Sequence, residues 1–388
     1  MGMTIERLDV GRIKEVLAVE GMKDSAVVSA ADNRASSSAQ PGSAAYHVVP
    51  ARAVAPSESD AAAPRHRPAR TIALPAEHTA RLRPEQRRSE PPHHEPAYEH
   101  PRPPVFGGRH TAAYRSPWKL PARPVQTAVA ADDANLGDLG VLAASVVGTG
   151  HRCAEPAEPR QDAYRIARDE AGRHLVVAVA DGISACRFSD LGAQVAATTA
   201  VNAVRSALGD LGPRDPLELL DARHIFQQVA QQMQATAKQR GVSIRDVGVV
   251  LITAVVPTQG TAADGSRAVW VARVGDVSAW HLQNKLWQPF VGGHKRQHGG
   301  VESGEVDAAL PWAPQAVEAR SYTVTAGSTL AFVTDGIGDA LHDNPALNSH
   351  FAQHWAGKPP VTSFLTDMHF DAPSCQDDRT AVVVWTDR

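Results

Sequence analysis

The stretch HLVVAVADG, residues 174–182, is a short apolar run that ends in an aspartate and a glycine. Runs of this kind, rich in valine and alanine and bounded by turn residues, are typical of buried β-strands. The pattern recurs along the second half of the chain in VLAASVVG (141–148), VGVVLITAVV (247–256), AVWVARVGD (268–276), SAWHLQ (278–283), ARSYTVT (319–325), STLAFVTD (328–335) and TAVVVW (380–385). The sequence therefore predicts a fold with many strands.

Helical patterns interrupt these strands. Apolar residues spaced three and four apart predict helices around 191–208, 226–233, 347–351 and 361–368. Asp215-Pro216 and Asn344-Pro345 each pair an N-cap residue with a proline suited to the first helical position, so they predict two helix starts. Two strands, two helices and a run of strands do not show the regular alternation of a parallel sheet. We therefore expect an α+β fold built on antiparallel sheets.

The N-terminal third has a different composition. Between Pro41 and Pro124 lie 16 of the 28 prolines, with 13 Lys/Arg against 7 Asp/Glu. Such a segment buries too little apolar surface to offset the entropy lost on ordering. We predict a short helix over 1–20, which either frays or serves as a docking peptide, a disordered Pro/Arg/His/Ala-rich region over 21–138, and a folded domain over 139–388.

Charge and hydropathy exclude several classes of protein. Residues 140–388 carry 21 Lys/Arg against 26 Asp/Glu, a net charge of −5, which argues against a nucleic-acid-binding fold. The most apolar stretch, 247–256, is half the roughly 20 residues of a spanning helix. The first residues, MGMTIERLDV, lack the apolar core of a signal peptide, and the three cysteines lack metal-ligand spacing. We expect a cytoplasmic monomer without membrane or nucleic-acid partners.

Aspartates stand at the ends of the predicted strands. Asp181, Asp276 and Asp335 each end a strand, whereas Asp162 and Asp377 each precede one. Carboxylates that converge repel one another unless a cation lies between them. Oxygen ligands without a histidine or cysteine cluster favour Mg²⁺ or Mn²⁺, and two such ions can activate water for displacement at phosphorus. The spacing thus indicates metal-dependent hydrolysis of phosphate esters.

The order of these motifs resembles the type 2C metal-dependent (PPM family) Ser/Thr protein phosphatases, in particular a bacterial branch. The resemblance lies in GTGHRCAEPAEPRQDA (148–163), QDAY (161–164), VAVADGIS (177–184), VARVGD (271–276), FVTDGIGDAL (332–341) and DDRTAVVV (377–384). It implies a sandwich of two antiparallel β-sheets flanked by α-helices over 139–388. It also implies a phosphoprotein phosphatase that uses two Mn²⁺ or Mg²⁺ ions and acts on substrates of a Ser/Thr kinase.

The resemblance assigns metal ligands by position. Asp181 would bridge both ions, and the backbone carbonyl of Gly182 would bind the second. Asp335 and Asp377 would complete the first ion. Two further acids would lie outside this ligand set. Asp162 would hold metal-bound water, and Asp246 would bind a third, loosely held ion. Asp276 would be a buried structural carboxylate that accepts backbone N–H groups.

Among the positions that depart from the family pattern, two would act on the substrate. Ala157 stands where the family has the arginine that binds the substrate phosphate, and either Arg152 or Arg160 would replace it. Ile183 stands where eukaryotic members have a histidine that serves as general acid. The missing arginine at position 157 supports an alternative, in which the chain is a catalytically weak or inactive regulatory scaffold of a kinase signalling system.

Overall fold

The computed structural model describes residues 102–107, 117–260, 262–292, 297–298, 301–302, 308–372 and 375–386. The helix predicted over 1–20 and most of the region predicted to be disordered lie outside these residues. The described chain forms two antiparallel β-sheets that carry helices on their outer faces. The predicted α+β sandwich is therefore confirmed.

Most strands of the two sheets were predicted from the sequence, whereas the strands Val129–Leu136 and Leu286–Val291 were not. One sheet has, in spatial order, β1 (Val129–Leu136), β2 (Leu139–Val146), β13 (Arg379–Thr386), β12 (Thr329–Val333), β7 (Ser278–Gln283) and β8 (Leu286–Val291). The other has β11 (Glu318–Val324), β6 (Arg267–Val274), β5 (Val249–Pro257), β4 (His174–Gly182) and β3 (Ala163–Arg168). A separate hairpin pairs β9 (Gln297–His298) with β10 (Val301–Glu302).

Helices cover both outer faces of the sandwich. A short helix, α1 (Thr149–Cys153), follows β2. The five-stranded sheet packs against α2 (Ser189–Asp210) and α3 (Ala222–Arg240). The six-stranded sheet packs against α4 (Asp335–Asp343), α5 (Pro345–His354) and α6 (Val361–Met368). No helix in the described part of the chain is long and apolar enough to cross a membrane.

Strand β5 shows why the strands read as continuous apolar runs. All of its residues are buried. One face contributes Val250 and Ile252 to the core between the sheets, and the other contributes Val249 and Leu251 to the layer beneath α2 and α3. A strand covered on both faces has no solvent side, so its sequence does not alternate.

The folded domain starts before residue 139, so the predicted boundary is corrected. Strand β1 pairs with β2 along its whole length, from Val129 opposite Val146 to Leu136 opposite Leu139. Composition concealed β1 because it is an edge strand with the sequence VAADDANL and several exposed residues. An edge strand is paired on one side only and tolerates charged residues.

The segment before β1 also belongs to the domain. The indole Nε1 of Trp118 donates to the carbonyl of Glu158 at 2.9 Å. The guanidinium of Arg123 forms two hydrogen bonds, of 2.9 and 2.5 Å, with the buried carboxylate of Asp190 at the start of α2. Residues 117–128 thus join the loop before β3 to the helical layer.

The two predicted helix starts have different outcomes. Asn344 caps α5 as predicted: its side chain accepts from the N–H of Leu347 at 3.1 Å, and Pro345 follows it. The start at Asp215-Pro216 is wrong for α3. That dipeptide leads only into the 3₁₀ turn Leu217–Leu219, and Asp221 caps α3 by accepting from the N–H of His224.

Candidate active site

The two sheets bring five aspartates together at one end of the sandwich. Asp162 precedes β3, Asp181 lies near the end of β4, and Asp276 follows β6. Asp335 follows β12 and opens α4, and Asp377 precedes β13. The antiparallel registers place these termini at the same end of each sheet. The predicted convergence of carboxylates is thus present in the fold.

The carboxylates of this cluster repel one another. Burial raises the pKa of Asp181 well above its usual value, and the charges of Asp162, Asp335, Asp377 and Asp276 raise it further. Carboxylates that share a desolvated space favour a cation between them. Because the donors are oxygens, the cluster fits a hard divalent ion such as Mg²⁺ or Mn²⁺.

A buried acceptor beside the cluster supports the same fit. The side-chain Oε1 of Gln161 is buried and has no hydrogen-bond donor among the described residues. Gln161 also packs closely against Gly182, where an added Cβ would lie 2.8 Å from the Gln161 carbonyl oxygen. A buried acceptor without a protein donor is usually paired with a water molecule or an ion, so a hydrated cation fits this position.

The carboxylate of Asp162 is held by two threonine hydroxyls. Its buried Oδ2 accepts hydrogen bonds from the hydroxyls of Thr334 and Thr380, both at 2.8 Å. Burial, followed by the charges of Asp378 and Asp377, nevertheless raises its pKa well above the usual value. Since these hydroxyls lie at the end of β12 and the start of β13, Asp162 connects the two sheets.

Two glycines, one before α1 and one in α4, allow the loop before β13 to pack closely against these two helices. A Cβ at Gly148 would lie 2.3 Å from the carbonyl of Asp377. A Cβ at Gly336 would lie 2.0 Å from the carbonyl oxygen of Asp378. Real Cβ atoms do not approach backbone so closely, so larger residues here would displace the Asp377 carboxylate from the cluster.

The structure adds two residues to those singled out from the sequence. Buried Asp378 accepts from the N–H groups of Gly148 and Gln161, at 2.7 and 2.5 Å. Nδ1 of His151 lies 2.9 Å from the same carboxylate, in an ion pair rather than an aligned hydrogen bond. In the sequence, these two residues belong to the aspartate pair 377–378 and to the Gly-x-x-His pattern at 148–151.

The charge of His151 depends on this pairing. Burial, the largest single influence, would lower the pKa of His151, whereas the interaction with Asp378 raises it. Together with the charges of Asp377 and Glu158, it raises the pKa to about 9. The imidazolium of His151 therefore balances the negative charge of Asp378.

Arg160 does not act as the predicted phosphate ligand. Its guanidinium is buried and donates to the carbonyls of Thr127 and Asp162, at 2.9 and 3.0 Å, and to the side chains of Ser145 and Gln126. Thr127 lies just before β1 and Ser145 near the end of β2, so this arginine satisfies polar groups at that end of the six-stranded sheet. We correct its role to a structural one.

Arg152 keeps the capacity to bind an anion. It lies on α1, half-buried, and its Nε is 3.4 Å from the carbonyl oxygen of Val147. Within the described residues, its terminal guanidinium nitrogens form no hydrogen bond or ion pair. Its charge also acts on His369, whose pKa burial lowers and Arg152 lowers further. Phosphate binding by Arg152 stays a prediction.

We expect alanine substitutions of the two arginines to have different effects on stability and activity. Arg160→Ala should reduce the free energy of unfolding by on the order of 3 kcal/mol, because it removes the hydrogen bonds of a buried guanidinium to Thr127, Ser145 and Asp162. Arg152→Ala should unfold like the wild type and lose kcat/KM on p-nitrophenyl phosphate. Urea denaturation and steady-state kinetics measure both effects. Wild-type unfolding of Arg160→Ala would contradict its structural role.

The remaining predicted residues lie around the cluster. Gly182 ends β4, directly after Asp181. Asp246 ends the 3₁₀ turn Ile244–Asp246, and its carbonyl accepts from the N–H of Phe188 at 2.7 Å. It is not among the acids that shift Asp181, so a third ion at Asp246 stays a prediction.

Asp276 differs from its expected role. It is half-buried, accepts no hydrogen bond from the described residues, and its charge acts on Asp181. The expectation of a buried carboxylate that accepts backbone N–H groups was wrong. Asp276 belongs with the repelling carboxylates.

Comparison with known proteins identifies the family. A profile described as "Protein phosphatase 2C" matches residues 147–362, more than half of the chain. The chain therefore belongs to the protein phosphatase 2C family. The matched region includes Asp162, Asp181, Asp276 and Asp335, and Asp377 lies beyond it. A comparison with curated protein sequences gives no match.

Solved structures show a distant likeness. RsbX in complex with magnesium is 15% identical over 66% of this chain and 100% of that chain, with a TM-score of 0.38. PppA, described as a key regulatory component of T6SS in Pseudomonas aeruginosa, is 17% identical over 65% and 99%, with a TM-score of 0.43. Stp1, a Ser/Thr phosphatase of Staphylococcus aureus, is 10% identical over 73% and 100%, with a TM-score of 0.44.

Proposed function

We propose that this chain is a metal-dependent phosphatase that hydrolyses phosphoserine and phosphothreonine in proteins. The observation that supports it most is the cluster around Asp181, whose pKa is raised by burial and by four other carboxylates. A fold that needed no cation would gain nothing from holding these groups together. The family assignment gives the reaction class, because its members are phosphatases.

The proposed roles follow the ligand set of the sequence resemblance. Asp181, the carbonyl of Gly182, Asp335 and Asp377 would hold two Mn²⁺ or Mg²⁺ ions. When bound, the ions supply a water of lowered pKa and offset the negative charge of the phosphoryl group. Asp162, fixed by Thr334 and Thr380, would orient that water through its carboxylate.

The other residues serve the substrate and the loop. Arg152 would bind the phosphoryl oxygens through its terminal guanidinium nitrogens. His151 and Asp378 hold the loop that carries Asp377 against the start of α1. The substrate would be a phosphoprotein made by a Ser/Thr kinase, acted on by a monomer in the cytoplasm.

A second candidate is a regulatory scaffold with little or no activity. The observation that favours it is the substitution of the family arginine by Ala157. Hydrolysis of p-nitrophenyl phosphate by the full chain separates the two candidates. We expect turnover that needs Mn²⁺ and stops in EDTA; no turnover with either Mn²⁺ or Mg²⁺ would favour the scaffold.

Metal binding should also appear as stability. An ion that binds only the native state adds about 2.7 kcal/mol to the free energy of unfolding at a hundredfold excess over Kd. We therefore expect Mn²⁺ to raise the Tm of the full chain and EDTA to lower it. Asp210→Asn, which removes an exposed carboxylate at the end of α2, is the control. Identical melting curves in Mn²⁺ and EDTA would contradict the proposed metal site.

A further inference from the structure

A second cluster of metal-ligating side chains lies on the helices outside the six-stranded sheet. His350 and His354 are four residues apart on α5, so both lie on one helix face. Asp367 lies on α6. Each of the three offers one ligand atom, and these atoms all lie within 4.8 Å of one another. None of these residues belongs to the aspartate cluster.

The distances in this cluster suit a bound metal ion. Nε2 of His350 and Nδ1 of His354 lie 3.2 and 3.3 Å from the same Oδ1 of Asp367. Charge-assisted hydrogen bonds are shorter, at about 2.7–2.9 Å. Ligands about 2.0 Å from a tetrahedral ion are separated from one another by about 3.3 Å. The His350 contact has hydrogen-bond geometry and the His354 contact does not, whereas a shared ion explains both distances.

The shared carboxylate is oriented in the way that metal ligands are. Asp367 is buried, and its other oxygen, Oδ2, accepts a hydrogen bond at 3.0 Å from Nε1 of the fully buried Trp355. Protein metal ligands are usually held by such outer hydrogen bonds. In the described part of the chain, Asp367 has no ion pair with a lysine or arginine, so a bound cation would balance its charge.

The histidines are positioned by packing while the cluster stays open to solvent. The edge of the Phe106 ring packs against His350, with centroids 5.4 Å apart, and the two imidazoles lie 3.8 Å apart. The His354 side chain is 45% exposed. This exposure leaves room for a water molecule as the fourth ligand.

We propose that His350, His354 and Asp367 bind Zn²⁺, with a water as the fourth ligand, and that the ion ties α5 to α6. Two imidazoles and one carboxylate form a donor set that suits this ion better than Mg²⁺ or Mn²⁺. The site is independent of the proposed phosphatase reaction. It connects two helices of the layer that covers the six-stranded sheet.

Metal titration of the full chain tests the site. Zn²⁺ should raise the Tm of the wild type, and Co²⁺ should give the visible absorption of a tetrahedral complex. His354→Gln should weaken Co²⁺ binding by at least the 10–100-fold typical of outer-shell changes, since it removes a direct ligand. Because the His354 side chain is half-exposed, we expect the substitution to leave folding unchanged. Equal Tm values of the variant and the wild type without metal would verify this.

Two control variants locate the signal. His224→Gln removes a histidine from the exposed face of α3, where its ring Nε2 contacts the side chain of Gln228, and should keep the full response. Asp181→Asn removes the proposed bridging ligand of the aspartate cluster and should also keep it. A Co²⁺ spectrum and a Zn²⁺-induced Tm shift that are the same in His354→Gln and His224→Gln would overturn the proposal. Absence of both signals in the wild type would overturn it as well.

Discussion

Asp181→Asn should abolish metal-dependent phosphatase activity while the chain stays folded. Asp181 is the proposed bridging ligand, so the substitution removes one charge from the contact expected to reach both ions. Loss of a group that stabilises developing charge lowers kcat by on the order of 10²–10³-fold, and the additional loss of metal affinity should make the defect larger. Steady-state hydrolysis of p-nitrophenyl phosphate against Mn²⁺ concentration measures both effects.

The same variant should be more stable than the wild type without metal. The pKa of Asp181 in the folded chain is raised above the unfolded value of about 3.9, so the native state binds more protons than the unfolded state above that pH. The free energy of unfolding must then fall as the pH rises. Asp181→Asn removes this contribution. In EDTA, its Tm advantage should grow from about pH 4 upward.

Asp210→Asn is the matched control for both measurements, because it removes an exposed carboxylate on the same chain. It should keep wild-type turnover and show no stability advantage. Near-normal activity of Asp181→Asn would mean that the strand-end aspartates are turn residues without a metal. A variant that melts below the wild type in EDTA would show that the carboxylates do not repel.

Removal of residues 1–138 should destabilise the domain severely, although no predicted metal ligand lies in that region. The truncation deletes β1, which pairs with β2, and removes Arg123 from the buried carboxylate of Asp190. The Arg123 side chain is 35% exposed, but its loss leaves the buried Asp190 carboxylate without this donor, which costs about 1–3 kcal/mol. Added to the loss of β1, this is a large part of the roughly 5–15 kcal/mol by which proteins are usually stable.

A chain of residues 102–388, which keeps every described element, is the control. We expect it to melt cooperatively near the wild-type Tm, whereas residues 139–388 should melt far lower or aggregate. The substitution Arg123→Ala in the full chain tests the ion pair separately and should lower the Tm without removing a strand. Equal Tm values for 102–388 and 139–388 would contradict the assignment of β1 to the domain.

The sequence by itself determined most of the strands, the fold class and the members of the aspartate cluster. Each of these depends on neighbouring residues: a valine-rich run predicts a buried strand, and the acid directly after it lies at the end of that strand. Asn344-Pro345 similarly predicts a helix start, because the N-cap residue and the proline of the first helical position are adjacent in the sequence. Strand β1 was missed because its partner, rather than its own composition, makes it a strand.

Only the tertiary structure decided what the polar side chains of the site do. From the sequence, both Arg152 and Arg160 were candidates for binding phosphate. In the structure, Arg160 is buried against Ser145 and Thr127, whereas Arg152 lies on α1. Asp378 bonds to the N–H of Gly148, 230 residues earlier in the chain. Such contacts depend on how the two sheets pack, and no local pattern encodes which distant partner a buried charge will find.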